Sequence, residues 1–346
     1  MKTITVGTGA QQLCVSTYTM GSGFFGTRCP EDEAYRILDY YYEKGGRSLD
    51  TARYYGVFDT GKPQSELILG KWLAKTGVRK EVVLSSKGGH PGVDTTRIGN
   101  PNGYVKRGSR LTREELTKDI EASLESLRTD QIDIYWLHRD EPDVPVDEIM
   151  TVLNQFVQKG YTKLLGASNW RTDRIEEANR YALAHGMRPF AASQLQWSLA
   201  LNTERTCFDD TSTYLNAGDP DYSWYQKQNM PIFAFSSQAG GLFSRALADQ
   251  ADPKKGLAGL RNIRASLLTE PENLARIERV RMLCAQTGLS AAEVCTSYLL
   301  SKELPVTVLL GCRTMEQLKD SFSTHIDHTF DPATVRWLET GLRPTE

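Results

Sequence analysis

The chain has 346 residues, of which 40% are apolar and 24% charged, and its formal net charge is -2. Charges of both signs are interspersed, so no basic face is offered to a polyanion or an anionic membrane; small-molecule partners are expected, and neither nucleic acid nor membrane. No run of about eighteen uncharged apolar residues occurs and no basic-then-apolar leader opens the sequence, which predicts a cytoplasmic globular protein.

In chain order, residues 3–6 and 12–16 flank Gly7-Thr8-Gly9-Ala10 and read as a β-hairpin, a device that can close the bottom of a barrel. Short β-branched runs then alternate with segments of helical period: strand 16–21, helix 31–44, strand 47–52, helix 65–75, strand 82–87, helix 112–128, strand 132–138, helix 146–159, strand 164–168 and helix 173–185. Strands at 190–196, 232–238 and 306–311 complete a set of eight. Punctuation agrees with period: Thr112 with Glu115 forms a capping pair, and Gly45, Gly160 and Gly186 stand just past helix ends. These repeated βα units predict the α/β class: a (β/α)8 TIM barrel with an N-terminal β-hairpin, long loops at its C-terminal face, and one domain over residues 1–346. A doubly wound sheet is the rival; its dinucleotide turn is only weakly suggested by Gly21-Ser22-Gly23-Phe24-Phe25-Gly26.

Two stretches, 88–110 and 202–221, are rich in Gly, Asn, Asp, Thr and Pro and are expected to be functional lids or disordered loops. Residues 242–271 carry Arg245, Lys254, Lys255, Arg261 and Arg264 after the seventh strand, where barrels commonly hold phosphate; solvated charge is the alternative account. The six cysteines are scattered without a CxxC pair, and His325 and His328 sit in a polar tail, so no metal site is expected.

Asp50, Tyr55, Lys87 and His138 stand at or just beyond the carboxyl ends of predicted strands, where barrel enzymes assemble their sites. A charge pointing into a barrel must be paired, so Asp50 and Lys87 form either a structural ion pair or part of an active site. On the second account Lys87 supplies an ammonium that makes the Tyr55 phenol a stronger acid, Asp50 holds Lys87, and His138 orients or hydrogen-bonds a carbonyl oxygen.

Asp50-Thr51-Ala52, Tyr55-Gly56, Ser65-Glu66 and Leu69-Gly70 resemble the signature of the aldo-keto reductase family. The resemblance continues in order through Lys87, His138-Arg139, Gly166-Ala167-Ser168-Asn169, Gln194, Phe235-Ser236 and the segment 311–321, nearly the whole chain. It implies an oxidoreductase that reduces an aldehyde or ketone, sugar-derived carbonyls included, to an alcohol by hydride transfer, with Tyr55 as general acid. It also implies a cofactor set: Ser168, Asn169 and Gln194 on the nicotinamide carboxamide, Phe235 stacked on the ring, Gly21, Ser22, Ser236 and Gln238 along the extended cofactor, and Gly311, Arg313, Gln317 and Ser321 at the adenosine end. There the chain departs from the family pattern, with Leu310 for a proline, Asp320 for a glutamate and Ser321 for an asparagine. Arg313, able to grip a 2′-phosphate, predicts NADPH in preference to NADH. Phe24, Tyr54 and Trp197 are expected to wall the substrate pocket, and Arg107 to meet a hydroxyl-rich or anionic substrate. The alternative is a nicotinamide-binding regulatory module similar to channel-associated β subunits, with little turnover.

Overall fold

A computed structural model describes residues 1–91, 109–207, 211–248, 266–322 and 325–342. Its strands are β1 (Thr3–Val6), β2 (Leu13–Ser16), β3 (Tyr18–Gly21), β4 (Ser48–Asp50), β5 (Val83–Gly88), β6 (Ile132–Leu137), β7 (Thr162–Ser168), β8 (Phe190–Gln196), β9 (Ile232–Phe235) and β10 (Val306–Leu310). The last eight close a parallel barrel, with β10 beside both β9 and β3. The (β/α)8 expectation holds, including the antiparallel β1–β2 hairpin.

The helices among the described residues are α1 (Glu31–Glu43), α2 (Val57–Thr60), α3 (Gln64–Thr76), α4 (Arg113–Leu127), α5 (Val146–Gln158), α6 (Thr172–Ala184), α7 (Pro220–Gln228), α8 (Leu242–Ala248), α9 (Pro271–Thr287), α10 (Ala291–Leu300), α11 (Met315–Ser321) and α12 (Pro332–Thr340). Local chemistry explains the early ones. In α1 the buried residues Ala34, Ile37, Leu38 and Tyr41 recur at helical spacing, which makes one apolar stripe against the barrel. Thr112 caps α4 by accepting from the Glu115 amide, as the sequence predicts. None of these helices is long and apolar enough to cross a membrane.

Alternate strand residues point inward and form a core of their own. Ile134, Trp136, Leu164, Ala192, Phe233 and Leu309 pack there with Val6 and Val15 of the hairpin, so β1–β2 plugs the amino-terminal end of the barrel. Trp136 meets Phe233 edge to face at 4.8 Å between centroids. A Cβ on Gly166 would lie 2.1 Å from the Trp136 ring, so the indole occupies the space a side chain on β7 would need.

Several elements differ from the sequence expectation. β9 ends at Phe235 rather than at 238, because the chain turns through left-handed φ angles at Ser236, Ala239, Gly240 and Gly241. In the stretch 202–221 the described residues add a β-bridge between Gln196 and Tyr214, and α7 begins at Pro220. Residues 242–271 contain α8 and the start of α9, whereas Lys254, Lys255, Arg261 and Arg264 lie outside the described residues. The glycines at 21, 23 and 26 do keep the dinucleotide spacing after β3, yet α1 begins only at Glu31 and the strand belongs to a closed barrel. The spacing therefore does not mark a doubly wound fold.

Candidate active site

Asp50, Lys87 and His138 occupy the carboxyl ends of β4, β5 and β6, and Tyr55 lies on the loop above β4. Strand pairing sets their neighbourhood, since Asp50 is in register with Ser85 and Lys87 with Trp136. The Lys87 ammonium donates to Asp50 Oδ2 at 2.5 Å, to the Thr51 carbonyl at 2.8 Å and to the Tyr55 oxygen at 3.1 Å. Those three contacts match its three N–H donors. Burial pushes this ammonium down, but the Asp50 carboxylate and the Tyr55 oxygen together hold it above its usual value, so it stays charged. Asp50 Oδ1 in turn accepts from Ser85 Oγ at 2.7 Å and Gln194 Nε2 at 3.1 Å. A buried carboxylate with a charged donor on one oxygen and neutral donors on the other is fixed in place.

This arrangement has a chemical direction. Because the Tyr55 oxygen accepts from Lys87, its own proton is left to point elsewhere, and negative charge on that oxygen is stabilised by an ammonium already in contact. His138 faces Tyr55 edge on, with ring centroids 5.7 Å apart. Burial, followed by the neighbouring His90, Arg139 and Lys87, holds the His138 imidazole well below its usual value, so it is neutral. Its Nδ1 is buried and has no hydrogen-bond partner among the described residues.

The residues expected at the nicotinamide are gathered on the neighbouring strand ends. Ser168 pairs with Gln194 across β7–β8, and Gln196 pairs with Phe235 across β8–β9. Phe235 packs on the top of the inner core and is partly open at the mouth. Ser22 is buried and bonded to the Asp50 carbonyl and to Ser65 Oγ, while Gly21 pairs with Asp50. Asn169 differs from the other members of this set: its amide donates to the His138 carbonyl at 3.3 Å and to Ser168 Oγ at 3.0 Å, and accepts from the Thr213 amide at 3.2 Å. It ties the ends of β6 and β7 to the 211–216 stretch.

The residues expected at the adenosine end are bonded to each other. Gln238 Nε2 donates to Ser321 Oγ at 2.7 Å, Ser321 Oγ donates to the Gln317 carbonyl at 2.8 Å, and Gln317 Oε1 accepts from the Arg313 amide at 2.9 Å. Gly311 lies beside Phe24, and the Arg313 guanidinium stands 5.6 Å over the same ring. Phe24 therefore belongs to the β10 side of the mouth. Tyr54 lies toward the β5 side, its ring 5.4 Å from His90 and 6.4 Å from Phe58. Trp197 is fully buried and packs edge on to Tyr222 of α7. Arg107 lies outside the described residues. Phe58 was not among the expected site residues, because a single aromatic in Gly56-Val57-Phe58-Asp59 carries no spacing that marks it.

A parallel barrel with a buried ion pair at the carboxyl ends of its strands is the architecture of a (β/α)8 enzyme. Among the described residues no three metal-ligating side chains converge to hold a metal ion. The chain belongs to the aldo/keto reductase family, whose profile matches residues 13–339. It is 28% identical to the uncharacterized oxidoreductase YrpG of Bacillus subtilis over 95% of this chain and 93% of that protein. It is also 27% identical to the norsolorinic acid reductase stcV of Emericella nidulans, over 90% and 73% of the two chains. The putative aryl-alcohol dehydrogenase AAD14 of Saccharomyces cerevisiae is 26% identical, over 92% and 78%. The chain is thus an oxidoreductase of a family that works with nicotinamide cofactors on small carbonyl compounds and alcohols.

Proposed function

We propose that the chain is a single-domain NADPH-dependent reductase that converts an aldehyde or ketone to the alcohol, with Tyr55 as the proton donor. The observation that carries this reading is the Lys87 ammonium 3.1 Å from the Tyr55 oxygen inside a buried ion pair. The cofactor fits the residues present. Phe235 offers a partly open ring, Ser168 and Gln194 offer polar groups on the adjoining strand ends, and the turn after β9 exposes Ser236 in a left-handed backbone of the kind from which anion-binding turns are built. Arg313 supplies a guanidinium at the far end, which favours NADPH over NADH. When bound, the reduced nicotinamide supplies the hydride.

The protein's own part is to hold the carbonyl and deliver a proton. Neutral His138 orients the carbonyl oxygen beside Tyr55, and the Tyr55 proton passes to that oxygen as it gains charge. Lys87 then stabilises the phenolate oxygen left behind, and Asp50 keeps Lys87 in place. For the substrate, the rings of Tyr54, Phe58 and His90 form an aromatic wall, and relatives are named aryl-alcohol dehydrogenases. We therefore place aromatic carbonyls ahead of sugar-derived ones.

The test is Tyr55→Phe, assayed by loss of reduced-nicotinamide absorbance and by NADPH titration of protein fluorescence. Turnover should fall by about 10²–10⁴-fold, as for loss of a general acid, while NADPH binding is retained. Substantial residual reduction would reject Tyr55 as the acid. Tight NADPH binding by the wild type without turnover of any carbonyl would instead favour the binding-module reading.

A further inference from the structure

A buried carboxylate that the proposed chemistry does not use lies behind the substrate side of the site. Asp119 is on α4 and is 5% exposed. Its Oδ2 accepts from the Gly89 amide at 2.9 Å, and its Oδ1 accepts from Arg110 Nη2 at 2.7 Å. One side chain thus grips the chain just after β5 and again just before α4.

Each grip reaches the site through one further residue. Gly89 has a φ of +70°, and a Cβ there would lie 2.6 Å from Leu111, so the backbone turns tightly against its neighbour. The turn delivers His90, whose ring is 4.7 Å from His138, 5.4 Å from Tyr54 and 5.6 Å from Phe58. From the second grip the Arg110 guanidinium stands 5.5 Å over Tyr54, so Tyr54 neighbours both His90 and Arg110. The Arg110 amide donates to Glu141 Oε1 at 2.7 Å, and its guanidinium also pairs with Glu115. Arg110 therefore keeps an acidic partner when Asp119 is altered. What only Asp119 does, among these contacts, is join Arg110 to Gly89.

We propose that Asp119 is a positioning residue for substrate selection: by tying Gly89 to Arg110 it fixes His90 and Tyr54 as a wall beside Tyr55 and His138. The assignment rests on the reductase reading for its kinetic consequence, and on hydrogen bonding alone for its structural one. An aldehyde that leans on the wall feels its displacement, and a short aliphatic aldehyde does not. Asparagine at 119 retains a single acceptor oxygen, so one of the two grips is lost with little change of volume.

The experiment compares the wild type with Asp119→Asn and Asp119→Glu, using 4-nitrobenzaldehyde and propanal as probes. For Asp119→Asn, KM for 4-nitrobenzaldehyde should rise about tenfold with a smaller change in kcat, because a displaced wall misplaces the bound aldehyde. The KM for propanal and the NADPH dissociation constant should stay as in the wild type, and Asp119→Glu should recover part of the loss. Hydrogen exchange of the peptide spanning residues 83–91, followed by mass spectrometry, should be faster in Asp119→Asn. Equal losses with both aldehydes, a weakened NADPH affinity, or unchanged kinetics would overturn the proposal. If the wild type reduces neither aldehyde, exchange alone decides the Asp119 grip: unchanged exchange of residues 83–91 would sink it and faster exchange would sustain it, while the reductase reading falls only if no carbonyl is turned over.

Discussion

Lys87 brings the competing demands of stability and chemistry onto one atom. Its ammonium is buried and would be costly to place there alone, so Asp50, the Thr51 carbonyl and Tyr55 surround it. Removing the ammonium leaves the Asp50 carboxylate buried with Ser85 and Gln194 as its donors among the described residues. Breaking such a pair from one side typically destabilises by about 3–5 kcal/mol, more than a matched apolar pair would. Lys87→Met should therefore lose stability on that scale in urea unfolding, as well as turnover. Unchanged stability would mean that Asp50 finds another partner or takes up a proton. The residue types at 50, 55, 87 and 138, and their places at strand ends, were readable from the sequence because charge in an apolar strand demands an explanation. The internal bonding of Gln238, Gln317 and Ser321 was not, since a neutral amide or hydroxyl on a loop carries no periodic or charge signal.

The hairpin is the element whose job is most separate from catalysis. Val6 and Val15 are fully buried against the inward residues of the barrel, at the end opposite the site. Truncating Val15 to alanine leaves a small cavity in the inner core, which should destabilise by about 1–3 kcal/mol. Turnover per folded molecule should not change, and a drop in kcat/KM at full folding would show that the plug shapes the mouth. Elements whose apolar faces alternate with polar ones, such as α1 and α5, matched the sequence reading to within a residue or two. The helices after β9 did not stand out in the same way. In α10 every residue from Ala291 to Leu299 is buried, so no polar face sets the period. β9 was read three residues too long because Ser236 and Ser237 continue a strand-like composition through a turn that needs left-handed backbone.

The pH response of the whole molecule should be governed in part by Glu66, behind the site on α3. Burial pushes its carboxyl up to about 7, against the lowering effect of Ser123, Ser86 and Arg53. Ser86 Oγ donates to it at 2.7 Å, and the Arg53 guanidinium stands 3.6 Å away. A raised folded-state value means that the folded chain binds this proton more tightly than the unfolded one. The associated stability is fully present below the ordinary carboxylate range and is lost as pH rises toward 7. At about 1.4 kcal/mol per unit, the gap from the ordinary 4.5 amounts to roughly 3 kcal/mol. Unfolding measured from pH 5 to pH 8 should show the wild type losing more stability than Glu66→Gln, and parallel curves would refute the assignment.

Gln194 carries a last consequence. An amide has one end that gives hydrogens and one that takes them, and the giving end of Gln194 is engaged by Asp50. The taking end remains for whatever is seated beside Phe235. On the proposed reading, the ion pair's need for a donor thereby sets which way round a carboxamide settles, and so which of two mirror-related hydrogens is handed over. The stereochemistry of hydride release from the cofactor would then trace back to a carboxylate that never touches it.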